Sequence, residues 1–287
     1  MNVRRWGLFC VLVAMSSLPA AADELSDKQK AAAVKNLKSA GLSNVTTVES
    51  ANFIVCVSLP EAKAKAIAES LEKVSVTAKK ALQFEPNEEP WKGKLTVYIF
   101  DDRRPFQMFM LQVAKQRSSD PYHISVRSDV PFIARGIEVG KKPTDAETTA
   151  DAGKLVAGAL LGTKAGATTP LPEWIRFGFG RAVVARAAGQ GSRPLNDLKA
   201  KAKAAVTARP PAQAEDAWAS GNEIVDTSLM DYLAFGPTAA ANFPKFLTAL
   251  RPSENGDAPS MDQVLMTMTW TKEDLDKVWK KYVITGK

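Results

Sequence analysis

Histidine occurs once in the 287 residues, at His123. That scarcity excludes most hydrolytic chemistry. A zinc hydrolase takes two or three imidazoles at its metal, and a Ser or Cys nucleophile usually takes one as its base. His123 stands in Asp120-Pro121-Tyr122-His123-Ile124, just before an expected strand. No nucleophile motif accompanies it. It reads as a loop or surface histidine, with a general base or lone ligand as the alternative. Cysteine is nearly as rare, with Cys10 in the N-terminal apolar stretch and Cys56 in the run Phe53-Ile54-Val55-Cys56-Val57. Loss of the first would leave one thiol and no internal disulfide. Cys56 reads as a buried, inert thiol. No run reaches membrane-spanning length.

Other signatures are also missing. The net charge is +7, but the lysines are spread along helices as solvated faces. Without a basic stripe carrying aromatic or Arg readers, nucleic-acid binding is not expected. Weak attraction to an anionic envelope surface is the remaining consequence of the charge. There is no phosphate loop. Gly189-Gln190-Gly191-Ser192 lacks the spacing of a nucleophile elbow and reads as a helix stop. Gly178-Phe179-Gly180 follows a helical Trp-Ile, not a strand, so it is no dinucleotide fingerprint. Asp226-Thr227-Ser228 shares two residues with the Asp-Thr-Gly loop of aspartic peptidases, but it lacks the glycine and lies in a helical pattern.

What is present begins with an export signal over residues 1–22: Arg4 and Arg5, an apolar core, then Ala20-Ala21-Ala22 before Asp23. An uncleaved anchor is the alternative. The mature protein is expected outside the cytoplasm, periplasmic or extracellular, with no stable membrane anchor. Residues 23–50 read as an N-terminal helical appendage. Short β-branched runs at 45–48, 52–57 and 95–100 predict strands, and two more are expected at 122–126 and 130–134. Ile67, Leu71, Val74, Ala78 and Leu82 recur at helical spacing after Pro60. Pro105 opens another helix. From Thr144-Asp145-Ala146-Glu147, a capping box, the chain is helical almost to its end. A few strands with helices, then helices alone, argue an α+β fold with a small mixed N-terminal sheet. The strand-rich part spans 51–140 and the helical part 141–287.

Within that layout the chain resembles the bacterial peptidase MA-like group, which is similar to the gluzincin zinc peptidases. The resemblance runs from about Asn52 to the end. It includes Asn52-Phe53-Ile54-Val55, Trp91 to Phe100, and a terminal helix through Trp279 and Tyr282. Its most specific part is central. Members carry H-E-x-x-H-A-L-L and then L-P-x-W-L-x-E-G-x-A. Here Gly158-Ala159-Leu160-Leu161 matches the tail of the first motif, and Leu171-Pro172-Glu173-Trp174-Ile175-Arg176-Phe177-Gly178 matches the second. The resemblance implies a zincin-like helical half.

The register sets Lys154 to Gly158 over H-E-x-x-H and Phe177 over the third ligand. The motif works because two imidazoles one turn apart bind Zn²⁺ while the Glu activates its water. Lys154, Leu155, Gly158 and Phe177 can do neither. No histidine follows His123, so no shift of register restores the pair. No metal, cofactor or catalytic residue is therefore expected. The resemblance implies a pseudo-peptidase that binds a peptide or envelope protein. In an active gluzincin the strand before the zinc helix lines the substrate. Val130, Phe132, Ile133, Ala134 and Ile137 occupy that place, so strand addition at their edge is the expected binding mode. Two alternatives stay open. One is a zinc-independent hydrolase using carboxylates among Asp101, Asp102, Glu147 and Asp151. The other is a structural envelope protein whose old cleft is filled.

Overall fold

The sheet is built from strands apolar on both faces. In a computed structural model, which describes residues 18–117, 119–138, 140–166, 169–219 and 221–286, it has five strands in the order β1-β2-β3-β5-β4. These are β1 (Thr46–Glu49), β2 (Phe53–Val57), β3 (Leu95–Ile99), β4 (Tyr122–Ser125) and β5 (Phe132–Arg135). The inner strands β2, β3 and β5 run parallel, and the outer β1 and β4 run antiparallel to their neighbours. Every residue of the three inner strands is buried, as parallel strands covered on both faces must be.

One face is covered by α2 (Glu61–Ala81) and α4 (Asp145–Ala165), the other by α1 (Leu18–Ser39) and α3 (Arg103–Gln112). The α2 stripe Ile67, Leu71, Val74 and Ala78 is buried as its spacing predicts. Thr144 and Glu147 close the expected capping box of α4. The helix α3 begins two residues ahead of Pro105, because the Asp102 carboxylate accepts from the Arg104 N–H at 2.8 Å and serves as its cap. Proline so near a helix start loses no intrahelical bond.

Behind α4 lie α5 (Glu173–Ala187), α6 (Arg193–Thr207), the short α7 (Asp216–Ala219) and α8 (Glu223–Phe235). The chain closes with α9 (Phe243–Ala249), α10 (Met261–Thr267) and α11 (Lys272–Thr285). The architecture is α+β, with a mixed sheet in the N-terminal half and a helical C-terminal half. Glycines let the central helices touch. A Cβ on Gly180 would lie 2.6 Å from the Lys154 carbonyl of α4, and one on Gly178 would lie 2.7 Å from the Asp226 carbonyl of α8.

Two expectations are corrected here. Residues 23–50 are no appendage. Ala33 and Leu37 of α1 bury against Ile54, Tyr98 and Phe109. The Gln29 amide, fully buried, donates to the Lys92 and Lys94 carbonyls and accepts from the Lys94 N–H. Those bonds satisfy the approach to β3 and tie α1 to the sheet. Secondly, β5 is an interior strand, paired on both sides, so its backbone cannot take an added strand. The sheet's edge strands are β1 and β4, and the edge beside β5 belongs to β4.

The export signal falls mostly on residues 1–17, outside the described residues. Among the described residues no helix is long and apolar enough to cross a membrane.

Candidate functional site

Side chains alternate along β4 and β5, and this divides the candidates. Phe132 and Ala134 face α1 and α3, whereas Ile133 lies in the core on the α4 side. Arg135 follows Ile133 by two positions, shares its face, and reaches Asp151 of α4. His123 pairs with Ala134 and faces the same way, its ring centroid 5.5 Å from that of Phe132. It lies within a strand, half-buried, bonded through Nδ1 to the Gln116 amide. Burial lowers its basicity, and the sheet separates it from α4. Cys56 is buried, and desolvation pushes its thiol up to about 12, so it is inert.

The positions that the motif register sets over a zinc site are partly brought together. Lys154 Nζ lies 5.4 Å from the Phe177 ring centroid, a cation–π contact across α4 and α5. Tyr122 meets Phe177 edge-on at 5.0 Å and donates to Glu173 at 2.7 Å. Burial and that carboxylate both raise the pKa of the Tyr122 phenol. Gly158 sits one turn further along α4, under the Arg176 stem, where a Cβ would be 2.9 Å from Arg176 Cγ. Leu155 is buried. Side chains of Lys154, Phe177, Tyr122 and Arg176 thus fill the space between α4 and α5.

The open volume lies beside this filled position. A cleft of about 710 Å³ is bounded by the ends of β4 and β5, the first half of α4, α5, α6 and the start of α8. Lys154, Leu155, Arg135, Asp151 and Tyr122 reach it, and so does Ile137 beyond the end of β5. Phe132, Ile133 and Ala134 are buried in the sheet, and Val130 precedes the strand. Such a cleft sits outside the carboxyl ends of the parallel strands, where sheets of this kind bind ligands.

The β4 edge adjoins the cleft. Gly136 N–H donates to the Pro121 carbonyl, so Pro121, His123 and Ser125 turn their backbone groups toward β5. The N–H and C=O of Tyr122 and Ile124 therefore point outward, away from the sheet.

Charge in the cleft is organised around Asp151. Arg135 donates to its Oδ2 at 3.1 Å and Lys154 to its Oδ1 at 3.2 Å. On the α8 side, Arg181 donates to Thr227 Oγ1 at 2.8 Å and stands 3.5 Å from Asp226. Asp226 is buried with Oδ1 lacking a hydrogen bond, and desolvation raises its pKa to about 6 despite Arg181. Asp226, Thr227 and Ser228 all lie inside α8, so no catalytic loop forms there.

The carboxylate alternatives are not favoured by this geometry. Glu147 reaches the cleft, but its hydrogen bonds from Thr144 hold it below the usual carboxylate range, the wrong direction for a general acid. Asp102 caps α3, and neither it nor Asp101 lines the cleft. Among the described residues no group of three or more His, Cys, Asp and Glu side chains could hold a metal ion.

The residues overlooked in the sequence are Arg135 and Arg181. Arg135 left a signal, as a charge closing an otherwise apolar strand in line with Ile133. Arg181 left none, since its partners are 42 or more residues away. No family model, curated protein or solved structure matches the chain.

Proposed function

We propose that this chain is an exported, degenerate relative of the zinc peptidases that binds a peptide or envelope protein without metal. The observation that carries the reading is the pair Lys154 and Phe177. The motif register sets both over metal ligands, and they meet across α4 and α5, with Lys154 reaching the open cleft beside them. A cation on an aromatic face is a stable filling for a vacated metal position. The cleft, with the outward Tyr122 and Ile124 backbone beside it, offers room and hydrogen bonds for an extended segment. Strand addition is therefore assigned to β4 in place of β5. Calorimetric titration with zinc, coupled to an assay on a fluorogenic general peptide, is the test. The expected result is no stoichiometric zinc binding and no cleavage. Tight one-to-one binding with hydrolysis would overturn the reading.

A second reading, a purely structural envelope protein, draws on the same filled position between α4 and α5. It predicts that peptides leave the β4 edge untouched.

A further inference from the structure

One carboxylate in the cleft serves two cations. Asp151 accepts from Arg135 through one oxygen and from Lys154 through the other, at 3.1 and 3.2 Å. Both contacts exceed the roughly 2.7–2.9 Å usual for charge-assisted bonds. Arg135 is 6% exposed, so its charge is held in place by the fold. Lys154 is steadied by the Phe177 ring beneath it. Asp151 is 41% exposed at its side chain and sits at the open side.

The neighbouring carboxylates are engaged elsewhere. Glu138 pairs with Lys141, Glu147 caps α4, Glu223 lies 3.8 Å from Arg181, and Asp197 pairs with Arg193. Lys142 and Lys201 line the cleft without a carboxylate partner among the described residues. The six basic side chains of the lining therefore face five carboxylates, an excess of one positive charge, and Glu147 also lies close enough to act on Arg135 and Asp151. Arg135 and Lys154 each have N–H donors beyond the one given to Asp151.

We propose that Arg135 and Lys154 form a carboxylate-binding subsite, which takes the terminal or side-chain carboxylate of a bound peptide. The inference rests on the reading of the cleft as a peptide site and names the chemistry it recognises. Asp151 supplies the geometric warrant, because the two cations already stand at a spacing that a single carboxylate bridges. A further carboxylate from a ligand meets the one excess positive charge of the lining. It uses donors fixed by burial and packing, so little ordering is required at the moment of binding.

The test uses the immobilised chain and three pools of N-acetylated octapeptides, with retention read by mass spectrometry. The first pool lacks Asp and Glu and ends in a free carboxylate. The second is the same but amidated. The third is amidated with one central Glu. Retention of the first or third pool at least tenfold above the second is expected, and the comparison of first with third separates terminal from side-chain carboxylates. Arg135 is too buried to vary without risk to the fold, so Lys154 and Asp151 are varied. Lys154→Met abolishes the carboxylate preference. Asp151→Asn frees both cations from their internal partner and increases retention of the carboxylate pool, an effect that a merely structural Asp151 would not produce. Equal retention of all three pools, or a preference surviving Lys154→Met, overturns the subsite and leaves the peptide reading intact. No retention of any pool overturns both.

Discussion

At the residue scale, the close contacts of α5 are set by side chains that are absent. Gly180 lies against the Lys154 backbone, which cannot yield as a flexible side chain would. Gly180→Ala should cost about 1–3 kcal/mol from overpacking, read as a lower urea midpoint with an unchanged slope. It should also disturb Lys154 and so the cleft wall. Asp226 is the clearest titrating group. Its folded pKa, about 6, lies above the ordinary 3.8. Between those values the native state holds a proton that the unfolded chain has lost, so stability falls as pH rises across the window and levels off above it. The cost at neutral pH is about 3 kcal/mol. Asp226→Asn should remove that decline and be more stable than the parent at pH 7, as thermal unfolding at pH 4 to 8 would reveal. A stability difference between Asp226→Asn and the parent that does not grow with pH over the same window would contradict the burial account; the difference isolates Asp226 from His123, whose lowered basicity acts in the opposite direction.

At the element scale, what could be read in advance was local. The α4 cap follows from Thr144 and Glu147 three residues apart, and the α2 stripe from apolar residues at one period. Both are set by backbone geometry within a turn or two. The pairing of β5 with β3, on the side away from β4, is not local. It brings together strands 35 or so residues apart, and a run of four buried residues looks the same at an edge or in the middle. The docking of α1 was hidden for a related reason. A polar, alanine-rich helix gives a weak apolar face, and its buried polar anchor, the Gln29 amide, has partners 63 and 65 residues away. Gly93, at φ +67, keeps that turn open to the amide, since a Cβ there would be 2.8 Å from Gln29 Oε1. Gln29→Ala would strand two carbonyls and an N–H, at about 1–3 kcal/mol per buried group left unsatisfied. Denaturant unfolding should show a loss of about 2 kcal/mol or more. A neutral effect would mean that α1 is dispensable to the core.

At the scale of the whole molecule, the sheet and the helical half meet at α4, and the cleft lies along that seam. The order of elements made the α+β layout accessible from sequence, whereas the meeting of Lys154 with Phe177 depends on how α4 packs against α5. The position of the open volume was not accessible either, because it depends on how α6 and α8 stand against the end of β5. The helical side is stiffened by a buried network. Arg186 of α5 makes a two-pronged bond to Asp231 of α8, at 2.6 and 2.8 Å, and Tyr282 of α11 donates to the same carboxylate at 2.8 Å. A rigid wall opposite a free strand edge favours binding a segment that arrives extended. The most direct test of that claim is hydrogen exchange of the β4 amides, with the carboxylate-bearing peptide pool and a chelator both present. The account predicts slower exchange at Tyr122 and Ile124 on addition of peptide, with no metal required. Unchanged exchange along β4, or protection that appears only when zinc is supplied, would contradict it.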